Sequence, residues 1–334
     1  MRRGLALTLL AIIVLVIFLP AAVVSIARRD SLPHFEHPEE APDALPANQG
    51  LVIRLYRTDQ KQVVDLDLEE YLIGVVAAEM AASFELEALK AQAVASRTYA
   101  LRRCRFWGGC GCNLSSEPAD LCSDSTHCQA WIDPGQAALG WPDDQKDELL
   151  NRITTAVRET AGEIAVYNGE LIEAVYHSTC GGLTECSYAL WGGGEVPYLQ
   201  SVSCPYCGHS PYYRTQNLIT YQTLAAALPG CPARPVSGGL PVEIKEQTPG
   251  GRVGQLKIGD QTMDGKDFRN LFQLPSLACS FQEDSQGLVV NCKGKGHGVG
   301  LCQYGADGAA SRGMSYREII SFYYCGAEVT GINP

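Results

Sequence analysis

The sequence predicts an α+β fold, mixed hairpins and helices around a cleft, preceded by one N-terminal transmembrane helix. Three observations carry this. EIAVY and ELIEAVY flank Asn168-Gly169, the pattern of two strands joined by a type I′ turn. Strand-like and helix-like runs follow one another without the regular alternation of βαβ units. Finally, the 24 residues from Gly4 to Ala27 hold only Thr8 and Ser25 as polar side chains. As a helix this run spans about 36 Å, enough for a bilayer core of about 30 Å. It exceeds the apolar region of a cleavable leader, about 7–15 residues, and ends in Arg28-Arg29 without a small-x-small cleavage site. Residues 1–29 therefore read as an uncleaved single-pass anchor, with Arg2 and Arg3 inside and the remainder outside the cytoplasm.

Residues 30–50 are rich in proline, acid and alanine and read as an extracytoplasmic linker. Residues 51–334 form the folded domain. LVIRLYR (Leu51–Arg57) and VVDLDL (Val63–Leu68) read as strands. EEYLIGVVAAEM then turns helical and ends near Glu79. Ser83 is placed to cap the next helix, alanine-rich FELEALKAQAVASRTYALRR, with Glu85 and Glu87 in its first turns. Leu86, Leu89, Ala93, Arg97 and Leu101 fall on one stripe of it. Residues 104–145 form an irregular insertion with five cysteines. A helix follows from about Asp147 to Thr160, then the hairpin. The last third mixes short strands with a helix near Gly265–Phe272, and Ser315-x-x-Glu318 opens the final helix as a capping box.

Composition narrows the function. At 46% hydrophobic and 19% charged, the 334-residue chain can fill a core, which excludes a disordered protein. Its net charge is −11, and the first 29 residues hold four arginines and no acid, so the rest carries −15. Such an acidic domain is a poor binder of phosphates, and no nucleic-acid partner is expected. Fourteen cysteines call for an oxidising compartment, a metal, or both. Cys104, Cys110, Cys112, Cys122 and Cys128 form one group, and Cys180, Cys186, Cys204 and Cys207 a second. Zinc and disulfides both fit these spacings.

Glu79 ends an apolar helix, where the helix dipole disfavours the anion and raises its pKa, as a general acid requires. Arg97, on the apolar stripe, wants a carboxylate partner, and Glu79 is near in sequence. Gly294, Gly296, Gly298 and Gly300 surround His297 in a loop suited to close approach of a sugar, and the spacing does not match a dinucleotide loop. His177, Ser178 and Thr179 sit at a strand exit as candidate substrate contacts.

EYLIGVVAAEM, FELEALKAQAVASRTYAL, LCSDSTHCQAW, YHSTCGG and GHGVGLCQYGA occur in that order. Together they resemble the stage II sporulation protein D family, membrane-anchored peptidoglycan lytic transglycosylases of endospore formers. The likeness runs from about Leu51 to Gly326. It implies Glu79 as the catalytic residue and Arg97, His177, Ser178, His297, Gln303 and Tyr304 as substrate-binding residues. It also implies Cys122 and Cys128 as ligands of a structural zinc. The histidine expected six residues before Cys122 is Ser116 here, so nearby cysteines stand in. The candidate ligand set is Cys110, Cys112, Cys122 and Cys128. Ala81 replaces a usual proline, and Leu301 and Cys302 replace the usual methionine and serine of the glycine loop.

The implied reaction cuts the bond between N-acetylmuramic acid and N-acetylglucosamine without water. Glu79 would protonate the glycosidic oxygen and then deprotonate the muramic 6-hydroxyl, giving a 1,6-anhydro sugar. Implied partners are peptidoglycan glycan strands, a cell-wall amidase and a membrane scaffold protein of the engulfment machinery. The implied location is the cell membrane at the septum. A competing expectation is a non-catalytic glycan-binding module that enhances a cell-wall amidase, and a third is a cysteine scaffold with a structural role.

Overall fold

Asp67 marks where strand becomes helix. The structure, a computed structural model, describes residues 50–234, 240 and 242–332. Val52–Arg57 pairs antiparallel with Gln62–Asp67, and Leu121–Cys122 adds in parallel to its other edge. Ile53 and Leu55 point into the core. The Asp67 carboxylate then accepts from the amide N–H groups of Glu69 and Glu70 and caps the helix Leu68–Glu79. That helix is buried continuously from Tyr71 to Val76, which explains why its sequence is apolar on all sides.

The helix Leu86–Arg103 is the centre of the fold. Between Ala88 and Leu101 every residue except Lys90 is buried. Its alanines let neighbours come close: the helices Lys146–Glu159, Gln303–Ala310 and Tyr316–Tyr323 and the strand Glu163–Tyr167 all pack on it. Ser83 does not cap it. Glu85 takes the cap position without a side-chain bond, and its N–H donates instead to Asp307 Oδ1 at 2.8 Å.

The hairpin forms as the sequence predicts, with Asn168 at φ 52° and Gly169 at φ 82°. Its second strand is shorter than expected, Glu170–Leu171. The chain then leaves to pair Tyr176–His177 in parallel with Leu301–Cys302, while Glu328–Gly331 covers the free edge of Glu163–Tyr167. A second apolar core lies between the three-stranded sheets of Thr215–Thr220, Gly287–Cys292, Cys279–Glu283 and of Val242–Gln247, Val253–Ile258, Gln261–Asp264. The helix Gly265–Leu271 sends Phe268 into it. The capping box of the last helix is present in both directions. The insertion is less irregular than expected: it contributes the strand Leu121–Cys122 and the short helix Pro134–Ala138.

The mixed α+β architecture is thus present, but its membrane part is corrected. No helix among the described residues is long and apolar enough to cross a membrane. The 18-residue central helix is long enough but carries Glu87, Lys90, Arg97, Arg102 and Arg103. The expected anchor over residues 1–29 lies outside the described residues, as does the linker up to residue 49, and the single-pass membrane location is left without support.

Arg97 is also corrected. Its side chain is fully buried, and its carboxylate partner is Glu69, not Glu79. Nε reaches Glu69 Oε1 at 2.9 Å and Nη2 binds the second oxygen, while Nη1 and Nη2 donate to the carbonyls of Glu163 (3.0 Å) and Val157 (3.2 Å). Every arm of the fork is used for holding elements together. Removing one partner of a buried pair strands the other. Arg97→Met is therefore expected to lose about 3–5 kcal/mol in urea unfolding. Arg97→Lys should recover only part, because an ammonium cannot form the bidentate contact. A loss below about 1 kcal/mol, the scale of an exposed pair, would contradict this role.

Candidate glycan cleft and metal centres

Residues from all five sequence motifs line a cleft of about 540 Å³. The helix end brings Glu79. The strand exit brings Tyr176, His177 and Ser178, and the glycine loop brings His297. The helix start after Cys302 brings Gln303 and Tyr304. Six of the seven residues expected from sequence therefore share one cleft, and Arg97 does not.

Glu79 is half-buried and its Oε1 accepts from the Ala130 N–H at 2.7 Å. Burial raises its pKa above the ordinary 4.5, opposed by the Ala130 amide and by the Gln303 and Tyr176 side chains. Desolvation is the largest cause. Below the carboxyl lies a buried polar network. Tyr176 donates to Gln129 Oε1 (2.7 Å), and Gln129 donates to Tyr71 Oη (2.8 Å). Gln303 donates to Gln92 (3.4 Å), which donates to Ser96 Oγ (2.9 Å). Gln92 and Ser96 are four residues apart on the central helix, a polar stripe among alanines. That spacing could have flagged them in the sequence, whereas Gln129 and the Ala130 amide carry no such signal.

The two cleft histidines are neutral by construction. His177 is buried, and Nδ1 contacts the Val299 carbonyl at 3.1 Å, which can only accept. Nδ1 therefore holds the proton, and the buried Nε2 has no hydrogen-bond partner among the described residues. Burial, His297 and Arg252 push its pKa well down. His297 is lowered to about 4, mainly by burial, and its Nδ1 accepts from the Val299 N–H at 3.1 Å. The glycine loop is a close-packed turn. Gly298 has φ 87°, and a Cβ there would lie 2.1 Å from the Arg252 guanidinium. Arg252 is buried beside Glu185, a pair that sequence reading missed. Tyr304 packs edge-on against Phe84, with ring centroids 4.9 Å apart. Lys295 stands 4.0 Å above the Tyr212 ring at the cleft wall, near Arg269.

Two clusters could coordinate a metal ion. The first is Cys112, Cys122, His127 and Cys128. His127 Nδ1 lies 3.5, 3.6 and 3.3 Å from the sulfurs of Cys112, Cys122 and Cys128. These match the roughly 3.6 Å edges of a tetrahedron built on Zn–S of about 2.3 Å and Zn–N of about 2.0–2.1 Å. Nε2 of His127 contacts Asn113 Oδ1 at 2.9 Å, which fixes the proton there and leaves Nδ1 free to ligate. The donor set is closed, with four protein ligands, so a zinc here would supply folding stability rather than an open position for chemistry. Cys110 is corrected: it is exposed and stands outside the cluster, its Sγ 3.6 Å from the Gly111 carbonyl. His127, inside the CSDSTHC motif, replaces it. The second cluster is Cys180, Cys204, Cys207 and Cys302, all buried. Cys279 and Cys292 face each other across an antiparallel pair.

Two outcomes are expected. A carboxyl whose pKa is raised on folding opposes folding once pH passes its ordinary range. Glu79→Gln should therefore be more stable than wild type at neutral pH, with the advantage shrinking as pH falls and absent below 4.5. Unfolding curves across pH read this, and a pH-independent difference would contradict it. His127→Ala should lower bound zinc by one equivalent per chain, read by elemental analysis, with unchanged zinc as the contrary result.

The family model described as stage II sporulation protein matches residues 56–167. Stage II sporulation protein D of Bacillus subtilis (strain 168) is 33% identical, covering 88% of this chain and 86% of that protein. The protein of the same name from Bacillus amyloliquefaciens is 35% identical, covering 83% and 78%. A protein named amidase enhancer from Bacillus subtilis (strain 168) is 26% identical over 78% of this chain but 40% of its own length. Identity at this level along most of both chains is enough to assign kinship: the chain belongs to the stage II sporulation protein D family.

Proposed function

We propose that the chain is a glycan-binding module of the cell wall that enhances a cell-wall amidase. The observation that carries it is the cleft. Glu79, Ser178 and Gln303 offer hydrogen bonds to sugar hydroxyls and amides, beside the Tyr304 ring that can meet the apolar face of a sugar. Arg269 and Lys295 add positive charge on an otherwise acidic protein, which suits the carboxylates of peptidoglycan. The kinship to a protein named amidase enhancer supports the amidase as partner.

This replaces the expectation of a lytic transglycosylase. The ground for the change is the kinship to a protein named amidase enhancer; that Glu79 is the only carboxyl among the described residues lining the cleft leaves a two-carboxylate hydrolysis without its second acid as well. The relative whose name states an activity is named an amidase enhancer. The readings as a lyase, as a membrane-anchored protein and as a partner of a membrane scaffold are withdrawn with it.

Co-sedimentation of the full chain with purified peptidoglycan glycan strands tests binding. Tyr304→Ala should weaken retention by about tenfold, the effect of losing roughly 1.4 kcal/mol of contact. Glu79→Gln, which keeps shape and hydrogen bonding, should bind within about threefold of wild type, roughly 0.7 kcal/mol. Strand length, read by mass spectrometry, should stay unchanged. Shortened strands with anhydro ends, or no retention by wild type, would overturn the reading.

A further inference from the structure

We propose that Cys180, Cys204, Cys207 and Cys302 bind one structural zinc as a tetrathiolate site that pins the two cleft-forming strand ends to the loop carrying Cys204-x-x-Cys207. The four sulfurs lie within 4.8 Å of one another, and the side chains are 0–2% exposed. The Cys180 and Cys207 sulfurs are 3.5 Å apart, near the roughly 3.8 Å edge expected for tetrahedral Zn–S bonds of about 2.3 Å. Disulfides would join sulfurs in twos at about 2.05 Å and give no reason for four to converge on one centre.

The surroundings are built for thiolates. Cys302 Sγ accepts from the N–H groups of Cys180 and Gly305, each at 3.2 Å. The second donor belongs to the first turn of the helix Gln303–Ala310, whose dipole favours negative charge. Cys180 Sγ accepts from the Gly182 N–H at 3.4 Å, and the Tyr323 hydroxyl lies 3.1 Å from Cys204 Sγ. The Arg252 guanidinium donates to the Cys180 carbonyl at 3.4 Å, placing a buried cation beside the cluster. These contacts are the outer partners that tune a metal–thiolate site. Gly305 completes the packing, since a Cβ there would lie 2.8 Å from Cys204 Sγ.

The position gives the site its role. Cys180 lies two residues beyond Ser178, and Cys302 immediately precedes Gln303. The metal would fix the C-terminal ends of the two parallel strands Tyr176–His177 and Leu301–Cys302, the frame on which the cleft residues stand. The site does not depend on the cleft binding glycan.

The test uses the full chain purified with zinc under reducing conditions. Elemental analysis should find two zinc per chain. Cys122→Ser with Cys128→Ser should leave one, and Cys204→Ser with Cys207→Ser should also leave one. Should the latter variant fail to fold, Co²⁺ loading of the Cys122→Ser, Cys128→Ser chain decides. Sulfur-to-cobalt charge transfer with tetrahedral tetrathiolate d–d bands is expected. Zinc content unchanged by Cys204→Ser with Cys207→Ser, cobalt without thiolate bands, or peptide mapping that finds these four cysteines in disulfides would overturn the proposal. Loss of glycan binding with metal content intact would count against the cleft reading alone.

Discussion

Arg97 is the interaction on which the rest of the fold depends. An arginine in the middle of an alanine-rich helix is costly to bury unless each donor finds an acceptor. Here the acceptors come from three other elements: Glu69 on the first helix, the Val157 carbonyl near the end of the Lys146–Glu159 helix, and the Glu163 carbonyl at the start of the hairpin. Glu69 is 28% exposed at its side chain, so the pair sits at the edge of the core rather than in an isolated cavity. One guanidinium thereby fixes where the first helix lies against the central one. The Glu79 carboxyl, at the far end of that first helix, is placed as a result.

The opposite side of the central helix supports the cleft directly. Gln92 and Ser96 form the polar floor that holds Gln303, while Gln129 holds Tyr176. These groups satisfy one another, so the chain's own hydrogen bonds hold the cleft side chains in place, which lowers the ordering cost of binding. The raised Glu79 pKa follows from the same burial and makes the carboxyl a hydrogen-bond donor as well as an acceptor over part of the pH range.

Local chemistry was legible in the sequence where it acts locally. The Asn168-Gly169 turn and the Ser315–Glu318 capping box form as their residues dictate. The helix end at Glu79 and the order of the motifs located most of the cleft. What the sequence concealed is long-range. The helix upstream of Arg97 carries three carboxylates, Glu69, Glu70 and Glu79, and only the packing selects Glu69, across 28 residues. His127 lies one residue from Cys128, in plain sight, yet its role depends on Asn113 turning its proton away from the sulfurs. The Glu185–Arg252 pair and the four-cysteine cluster join segments far apart in sequence, Cys180 and Cys302 being 122 residues apart. No periodicity encodes such meetings.

Two metal-competent clusters flank the binding surface: one in the insertion, where Cys128 leads directly into Gln129 and Ala130, and one behind the strand ends that carry Ser178 and Gln303. Both place the cysteines in support of the cleft rather than within it. The most direct test of the central claim is the rate at which a purified cell-wall amidase releases stem peptides from peptidoglycan, with and without the full chain. A faster release in the presence of wild type, lost when Tyr304 is replaced by alanine, is the predicted result. An unchanged rate with wild type would contradict it.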